Sequence, residues 1–172
     1  MTFFTSPSFA RTRRIVLRVL ALLLLLSCFV RVGVAAVSRR RAQKAEGLSL
    51  YVLDVGQGDA ILLRANGETL LVDCGPFSAE SQLRVILHDL GVQKLDYFLV
   101  THPHEDHIGS LDAIINHFDV DAVYMPKIMH TSKAFEAVLD AVANKGLKIK
   151  SPSPGDTIDF NGLEIEVLGP QR

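Results

Sequence analysis

The chain has 172 residues, 48% of them hydrophobic, which is room for one ordinary domain with a buried core and an appendage. Its net charge of −1 is the sum of a basic part and an acidic part. Residues 1–44 carry nine basic and no acidic side chains, whereas the remaining residues carry nine basic and 19 acidic ones. A body this acidic does not attract a nucleic acid by its own charge. The two cysteines, Cys28 and Cys74, lie in different sequence environments, so we expect no disulfide between them.

The N-terminal region has the pattern of a targeting or membrane segment. Residues 1–14 are basic, and residues 19–30 form an uncharged run that fits the hydrophobic region of a signal peptide, about 7–15 residues long. Widening the run to residues 15–37 reaches the roughly 20 residues of a membrane-spanning helix and places Arg18 and Arg31 near its ends.

Two interpretations of residues 15–37 therefore stay open, a cleaved signal peptide and an uncleaved hydrophobic signal-anchor helix. A lipoprotein box at Cys28 is a weaker third interpretation. Residues 38–47 have the composition of a solvated linker. We expect the chain to be membrane-anchored or exported, in a bacterial cell envelope, with its body extracytoplasmic.

The first half of the body has strands followed by a helix and a further strand. Strands are predicted at residues 48–54, 60–65 and 68–74, a helix at 79–90 and a strand at 95–100. Asn66-Gly67, between two apolar runs, is a strong signal for a tight hairpin. Gly91 is a plausible C-cap for the helix. The continuous apolar run at 95–100 is typical of a strand that is covered on both faces.

The second half of the body alternates helices and strands and ends in another hairpin. We predict helices at residues 108–118 and 132–145, and strands at 122–125, 157–160 and 163–168. The helix at 132–145 is expected to turn Phe135, Val138, Leu139 and Val142 inward. Asn161-Gly162 repeats the hairpin signal. This order predicts an α/β (α+β) fold with one mixed sheet, built from hairpins and right-handed crossovers.

The stretch "LVTHPHEDHIGS", residues 99–110, concentrates groups that bind metals. His102 and His104 are two apart in an extended segment, so they point the same way and can meet on one ion. Asp106 and His107 are adjacent at the turn into a helix, so we expect them to diverge from the first pair and hold a second ion. Zn²⁺ accepts imidazole and carboxylate in this proportion, and two such ions can clamp an attacked phosphoryl or acyl centre. The motif predicts a binuclear hydrolytic site.

Three stretches together, "LDVGQGDAILL", "TLLVDCG" and "LDYFLVTHPHEDHIGSL", resemble the metallo-β-lactamase superfamily. They are most similar to the metallo-hydrolase domain of ComEC-type DNA-uptake competence proteins. The resemblance implies a four-layer αββα sandwich and two divalent ions, Zn²⁺ or alternatively Mn²⁺. It assigns His102 and His104 to one ion and Asp106 and His107 to the other, with Asp106 also orienting the attacking water and relaying its proton.

The resemblance also implies residues outside the ligand set and a missing part. Asp73 corresponds to a residue that supports the metal loop from behind the ligands, and Asp59 belongs to a loop that borders the site. The family's second half supplies further ligands, and residues 48–172 resemble only the first half, a domain incomplete at its C-terminus. Neither His117 nor His130 lies in a matching motif. Half a sandwich leaves one sheet face uncovered, and we expect the chain to self-associate through it.

The function implied by the resemblance is zinc-dependent hydrolysis of phosphodiester bonds by a metal-bound hydroxide. DNA or another phosphodiester is then the substrate, and the membrane is contacted through residues 15–37. Two alternatives stay open. One is a truncated, non-catalytic module attached to the membrane, and the other is a hydrolase of small esters, lactams or thioesters.

Overall fold

The structure, a computed structural model, describes residues 47–169 of the chain. The predicted basic region, the signal peptide or anchor helix and nearly all of the linker lie outside the described residues. Among residues 47–169, no helix combines the length and the hydrophobicity that a membrane span requires.

Eight strands and four α-helices make up the described part of the chain. The strands are β1 Ser49–Val52, β2 Ile61–Ala65, β3 Glu68–Val72, β4 Lys94–Leu99, β5 Asp119–Tyr124, β6 Ile149–Lys150, β7 Thr157–Phe160 and β8 Leu163–Glu166. The helices are α1 Glu80–Asp89, α2 Glu105–Ile108, α3 Leu111–His117 and α4 Lys133–Asn144. Strands β1 to β6 form one sheet in chain order, antiparallel from β1 to β3 and parallel from β3 to β6. The predicted mixed α/β fold is therefore confirmed, and the short strand β6 was missed.

One face of the six-stranded sheet is covered by the helices. Their shared core is made of fully buried side chains, among them Leu62, Leu71, Leu83, Phe98, Ile114 and Val138. Helix α4 begins at a Ser132 cap, whose Oγ accepts a hydrogen bond from the N–H of Phe135 at 3.2 Å. The prediction that Leu139 faces inward was wrong, because Leu139 is 38% exposed and Ala141 takes the buried position instead. This layer contributes most of the hydrophobic stabilisation.

The helix predicted at 108–118 is two helices, which corrects the sequence analysis. Helix α2 starts earlier, at Glu105, and Gly109 and Ser110 separate it from α3. A Cβ on Gly109 would lie 2.3 Å from the backbone nitrogen of Phe77, and Ser110 Oγ donates to the carbonyl of Pro76 at 2.7 Å. The chain breaks the helix here because the turn at Pro76 and Phe77 packs directly against it.

The last hairpin, β7 and β8, forms a second sheet and does not extend the first, which is a further correction. It packs on the face opposite the helices, where buried Phe160 contacts Ala65 and Leu70, and Tyr97 meets Phe160 edge-on at 5.8 Å. The sheet face predicted to be bare is thus partly covered. Described residues therefore form three layers, namely helices, a large sheet and a small sheet.

The turns of the two Asn-Gly hairpins bind each other. The side-chain amide of Asn66 donates to the carbonyl of Asn161 at 2.8 Å, and the amide of Asn161 donates to the carbonyl of Asn66 at 2.7 Å. Both asparagines have a positive φ, 49° and 48°, as two-residue hairpin turns require. Away from this contact, the edge strand β1 leaves Leu50 and Val52 58% and 77% exposed, on the face that carries the small sheet.

Candidate metal centre

The site lies where the parallel strands β3 and β4 end, side by side. Asp73 follows β3, and the segment from Thr101 to Ile108 follows β4. The N–H of Asp73 donates to the carbonyl of Leu99 at 2.9 Å, and the N–H of Val100 donates to the carbonyl of Tyr124 at 2.8 Å. Because parallel strands bring their carboxyl ends to one edge, residues distant in sequence converge there.

Asp73 is buried, and both of its carboxylate oxygens are engaged. Its Oδ1 accepts from the N–H of Thr101 at 2.9 Å, and its Oδ2 accepts from Thr101 Oγ1 and lies 2.9 Å from Nδ1 of His107. An ionised carboxylate only accepts hydrogen bonds, so the neutral His107 ring carries its proton on Nδ1. The lone pair of His107 is therefore on Nε2, where a metal ion can take it.

His102 is oriented by the same carboxylate through Thr101. The single hydroxyl proton of Thr101 goes to Asp73, so Thr101 Oγ1 acts as acceptor for Nδ1 of His102, which is 3.0 Å away. His102 then also carries its proton on Nδ1 and has its lone pair on Nε2. One buried carboxylate thus sets the tautomer of two histidines. The resemblance implied that Asp73 supports the metal loop, but the connection through Thr101 to His102 was not predicted.

The three predicted histidines and Asp106 are brought together. The ring centroid of His102 lies 3.9 Å from that of His107 and 4.7 Å from that of His104. Nε2 of His107 is 3.8 Å from Oδ2 of Asp106. The expectation that His107 diverges from the first pair was wrong, because α2 turns its ring back beside that of His102.

This donor set fits divalent ions. Within residues 47–169, neither the His104 ring nor the Asp106 carboxylate takes part in a hydrogen bond, although both lie in the cluster. Two Nε2 lone pairs, a further imidazole and a carboxylate are the ligands that Zn²⁺ takes in proteins. The candidate ligands are therefore His102, His104, Asp106 and His107.

Asp59 lies beside His107. Its Oδ2 is 3.7 Å from Nδ1 of His107, and one ligand atom each from Asp59, Asp73 and His107 fall within 4.8 Å of one another. Nδ1 of His107 already donates to Asp73, so we interpret this group as the support of His107 and not as a separate ion site.

The backbone of the neighbouring segments holds the ligand loop in place. A Cβ on Gly58 would lie 2.0 Å from the carbonyl oxygen of Asp106, so only glycine permits this approach. The N–H and the thiol of Cys74 both face the carbonyl of His107, at 2.9 and 3.2 Å. Burial raises the pKa of the Cys74 thiol well above its ordinary value, which keeps it a protonated donor.

The sequence analysis also considered His117 and His130. The structure places His117 away from the ligand cluster and His130 close to it. His117 is exposed at the end of α3 with its ring against Phe118, away from the cluster. His130, in the connection from β5 to α4, has its ring centroid 6.0 Å from that of His104. No sequence signal placed His130 here, because its position depends on how that connection folds back over the end of β4.

A cleft of about 440 Å³ opens beside Asp106. It is lined by Val55, Gly56, Gln57, Pro76, Ser78, Glu105 and Asp106. Glu105 also accepts a hydrogen bond from the N–H of Phe77 at 2.9 Å, which ties α2 to the turn that forms one wall. The lining contains two carboxylates and no basic side chain.

Residues 53–172 match the family model described as the metallo-beta-lactamase superfamily. The chain belongs to this superfamily. The match includes Asp59, Asp73 and the whole of the candidate ligand set. The family resemblance of the motifs is thereby confirmed.

Several curated proteins are similar to this chain over part of their length. ComE operon protein 3 of Bacillus subtilis (strain 168) is 29% identical over 138 residues, which are 70% of this chain and 18% of that protein. Hydroxyacylglutathione hydrolase of Aeromonas hydrophila is 33% identical over 108 residues, 62% of this chain and 35% of that protein. Ribonuclease Z of Methanopyrus kandleri is 25% identical over 107 residues, 62% of this chain and 37% of that protein. The chain thus spans about a fifth to somewhat over a third of these relatives.

Solved structures show the same fold. A subclass B3 metallo-beta-lactamase, MEM-A1, from a soil metagenome library has a TM-score of 0.53 at 14% identity, over 70% of this chain and 49% of that one. A metallo-beta-lactamase from Cronobacter sakazakii has a TM-score of 0.53 at 15% identity, over 69% of this chain and 50% of that one. The chain therefore spans about half of the metallo-beta-lactamase fold, as the sequence analysis expected.

Proposed function

We propose that this chain carries the ligand-bearing half of a binuclear, zinc-dependent hydrolase that cleaves phosphodiester bonds. The observation that carries the proposal is the pair of Nε2 lone pairs on His102 and His107, both set by Asp73. A buried carboxylate that orients two imidazoles with their Nε2 lone pairs free is typical of a metal site and not of a solvent-exposed polar loop. Membership of a hydrolase superfamily supports the same conclusion.

His102 and His104 hold one ion in this proposal, and Asp106 and His107 hold the other. A bound Zn²⁺, or Mn²⁺ in its place, would supply a lowered pKa for a water molecule and positive charge beside the attacked group. Asp106 orients the attacking water and takes its proton, since its carboxylate lies in the cluster and is 35% exposed. Asp73 and Asp59 keep His107 oriented.

A phosphodiester substrate is supported by the ribonuclease Z relative. The resemblance of the motifs to ComEC-type DNA-uptake proteins makes DNA our proposed substrate, and a cell-envelope location, reached through residues 15–37, goes with it. The charge of the body opposes binding of a polyanion, because residues 47–169 hold 18 acidic and eight basic side chains. Affinity for a polyanion then depends on the bound ions and falls steeply when they are removed.

Hydrolysis of a small ester or thioester is a second candidate. It is favoured by the absence of basic side chains from the lining of the cleft beside Asp106 and by the hydroxyacylglutathione hydrolase relative. The same ligands would serve either reaction, so the substrate has to be determined directly.

The test uses the full 172-residue chain, loaded with Zn²⁺ or Mn²⁺, and measures metal content together with hydrolysis of bis(p-nitrophenyl) phosphate and p-nitrophenyl thioacetate. We expect two tightly bound ions and phosphodiester cleavage. His102→Ala should lose both, and the exposed His117→Ala is the matched control. Cleavage of the thioester alone would move the assignment to acyl transfer. Less than one bound ion with no cleavage would mean a non-catalytic, membrane-attached module.

A further inference from the structure

His130 is a fourth imidazole at the edge of the ligand cluster, and it is held differently from the other three. Its half-buried ring lies 6.0 Å from the ring of His104 and packs edge-on against Phe135 at 6.2 Å. It comes from the connection between β5 and α4, whereas the candidate ligands all follow β4. The chain therefore brings a separate segment to the site.

The hydrogen bonds of His130 set its tautomer. Its Nδ1 accepts from the N–H of Ser132 at 3.3 Å and lies 2.9 Å from Ser132 Oγ. Ser132 Oγ accepts from the N–H of Phe135, which leaves its own proton available for His130. A backbone N–H can only donate, so Nδ1 carries the lone pair and the neutral ring has its proton on Nε2.

This tautomer is the opposite of the one that the hydrogen-bond partners of His102 and His107 indicate. Those two rings carry the proton on Nδ1 and present a lone pair at Nε2, which suits a metal ion. His130 presents an N–H at Nε2, which suits an oxygen acceptor and not a cation. Within the part of the chain that the structure describes, Nε2 of His130 forms no hydrogen bond, so this donor is available to a ligand.

We propose that His130 contacts the substrate and donates its Nε2–H to a non-bridging phosphoryl oxygen held at the ligand cluster. The proposal deepens the phosphodiesterase function and rests on it for the identity of the anion. An N–H donor directed at an oxygen that gains charge during the reaction stabilises the transition state, and removing one such donor costs roughly 100-fold in rate. Ser132 and Phe135 act as positioning residues, because they fix the ring before substrate arrives.

The first test is spectroscopic and needs no turnover. The full chain, labelled with ¹⁵N-histidine, is loaded with zinc, and two-bond ¹H–¹⁵N correlations identify each tautomer. We expect His130 in the Nε2–H form with and without zinc, and we expect inorganic phosphate to shift its Nε2–H resonance. The exposed His88 on α1, whose contact is with Asp89, is the internal control. An Nδ1–H form, a zinc-induced shift typical of a ligand, or no response to phosphate would overturn the proposal.

The second test compares variants of the zinc-loaded chain. His130→Ala should lower kcat/KM for bis(p-nitrophenyl) phosphate roughly 100-fold and weaken inhibition by inorganic phosphate, with zinc content unchanged. His130→Gln, which restores an N–H donor, should recover part of both losses, and His88→Ala should change neither. Loss of zinc in His130→Ala, or unchanged phosphate inhibition, would overturn the proposal. A wild-type chain that cleaves no phosphodiester, but whose His130 still responds to phosphate, would contradict the proposed function and leave this binding role in place.

Discussion

Oδ2 of Asp73 lies 2.9 Å from Nδ1 of His107, and the same oxygen accepts the hydroxyl proton of Thr101, which in turn holds His102. One buried carboxylate therefore determines where two imidazoles carry their protons. Two of the candidate ligands are therefore oriented by a residue outside the ligand set that we propose.

Replacing Asp73 should weaken metal binding without removing a ligand. Asp73→Asn loses the charge that favours Nδ1–H on His107, and we expect zinc affinity to fall about 10–100-fold. Competition with a chromophoric chelator measures this. Asp59→Asn is the comparison, and we expect a clearly smaller loss there, because Asp59 is 64% exposed and lies 3.7 Å from the same nitrogen. Equal losses in the two variants would contradict the role given to Asp73.

Thr101 should act through its hydroxyl. Thr101→Val keeps the size and branching of the side chain and the backbone N–H that Asp73 accepts, but it removes the oxygen between Asp73 and His102. We expect zinc affinity to drop by about 10-fold, whereas Thr101→Ser should bind like the wild type. The chelator competition applies again, and a serine variant as weak as the valine variant would mean that the methyl group matters and not the hydroxyl.

Gly58 should tolerate no side chain. Gly58→Ala places a Cβ 2.0 Å from the carbonyl of Asp106, so the ligand loop must shift. We expect a loss of about 2–4 kcal/mol in the free energy of unfolding, together with weaker zinc binding. Gly56→Ala distinguishes the effect of this clash from the effect of a positive φ. Gly56 also has a positive φ, 75°, but a Cβ there meets nothing within 4 Å, so it should cost about 1 kcal/mol and leave zinc affinity unchanged. Urea denaturation measures the free energy of unfolding and zinc titration measures the affinity of both variants. Equal losses in the two variants would contradict the role of the clash.

Asp96 should make stability depend on acidic pH. Burial raises the pKa of Asp96, but the N–H of Thr69 and the ammonium of Lys94 outweigh it and hold the pKa below its ordinary value of 3.8. A group with a depressed folded-state pKa stabilises the fold above its ordinary pKa, and this contribution disappears as pH falls through the folded-state value.

Asp96→Asn should therefore cost about 1 kcal/mol at pH 7, and the difference from wild type should shrink below about pH 4. Urea denaturation across this pH range measures both quantities. Asp121→Asn is the control, since Asp121 also pairs with Lys94 but is 57% exposed and should cost less. A deficit in Asp96→Asn that stays constant down to pH 2.5 would contradict the assignment.

The exposed edge of the large sheet should mediate self-association. Among residues 47–169, β1 is an edge strand of the large sheet and exposes Leu50 and Val52, and an apolar sheet edge favours pairing with a second chain. We expect the full chain to form dimers or larger species by light scattering, and Val52→Lys to shift it toward monomer. Val85→Lys, at a 60% exposed position on α1, should leave the distribution unchanged. A monomeric wild type would count against this surface.

That the candidate ligands lie near one another could be predicted from the sequence, because they are close together in the chain. His102, His104, Asp106 and His107 follow one strand, so local geometry alone brings them near one another. The divergence expected of His107 was wrong, since α2 begins at Glu105 and its helical turn rotates the ring back. The contact of Asp73 with Thr101 joins two strand ends, 28 residues apart, and no local pattern contains it.

Those parts of the fold that depend on a strong local sequence signal could be predicted. The two Asn-Gly hairpins and the buried strand β4 were found, because each has a strong local signal. The break between α2 and α3 was missed, since it comes from the approach of the Pro76 turn to Gly109. The placement of β7 and β8 as a separate sheet was also missed, because an alternating pattern does not say which neighbour a hairpin joins.

The reciprocal amide contact between Asn66 and Asn161 joins residues 95 positions apart at the tips of two hairpins. The contact requires both tips to have their turn conformation, and closing so long a loop is slow compared with forming either hairpin. We therefore expect the local turns to form first, the large sheet next, and the small sheet to dock last.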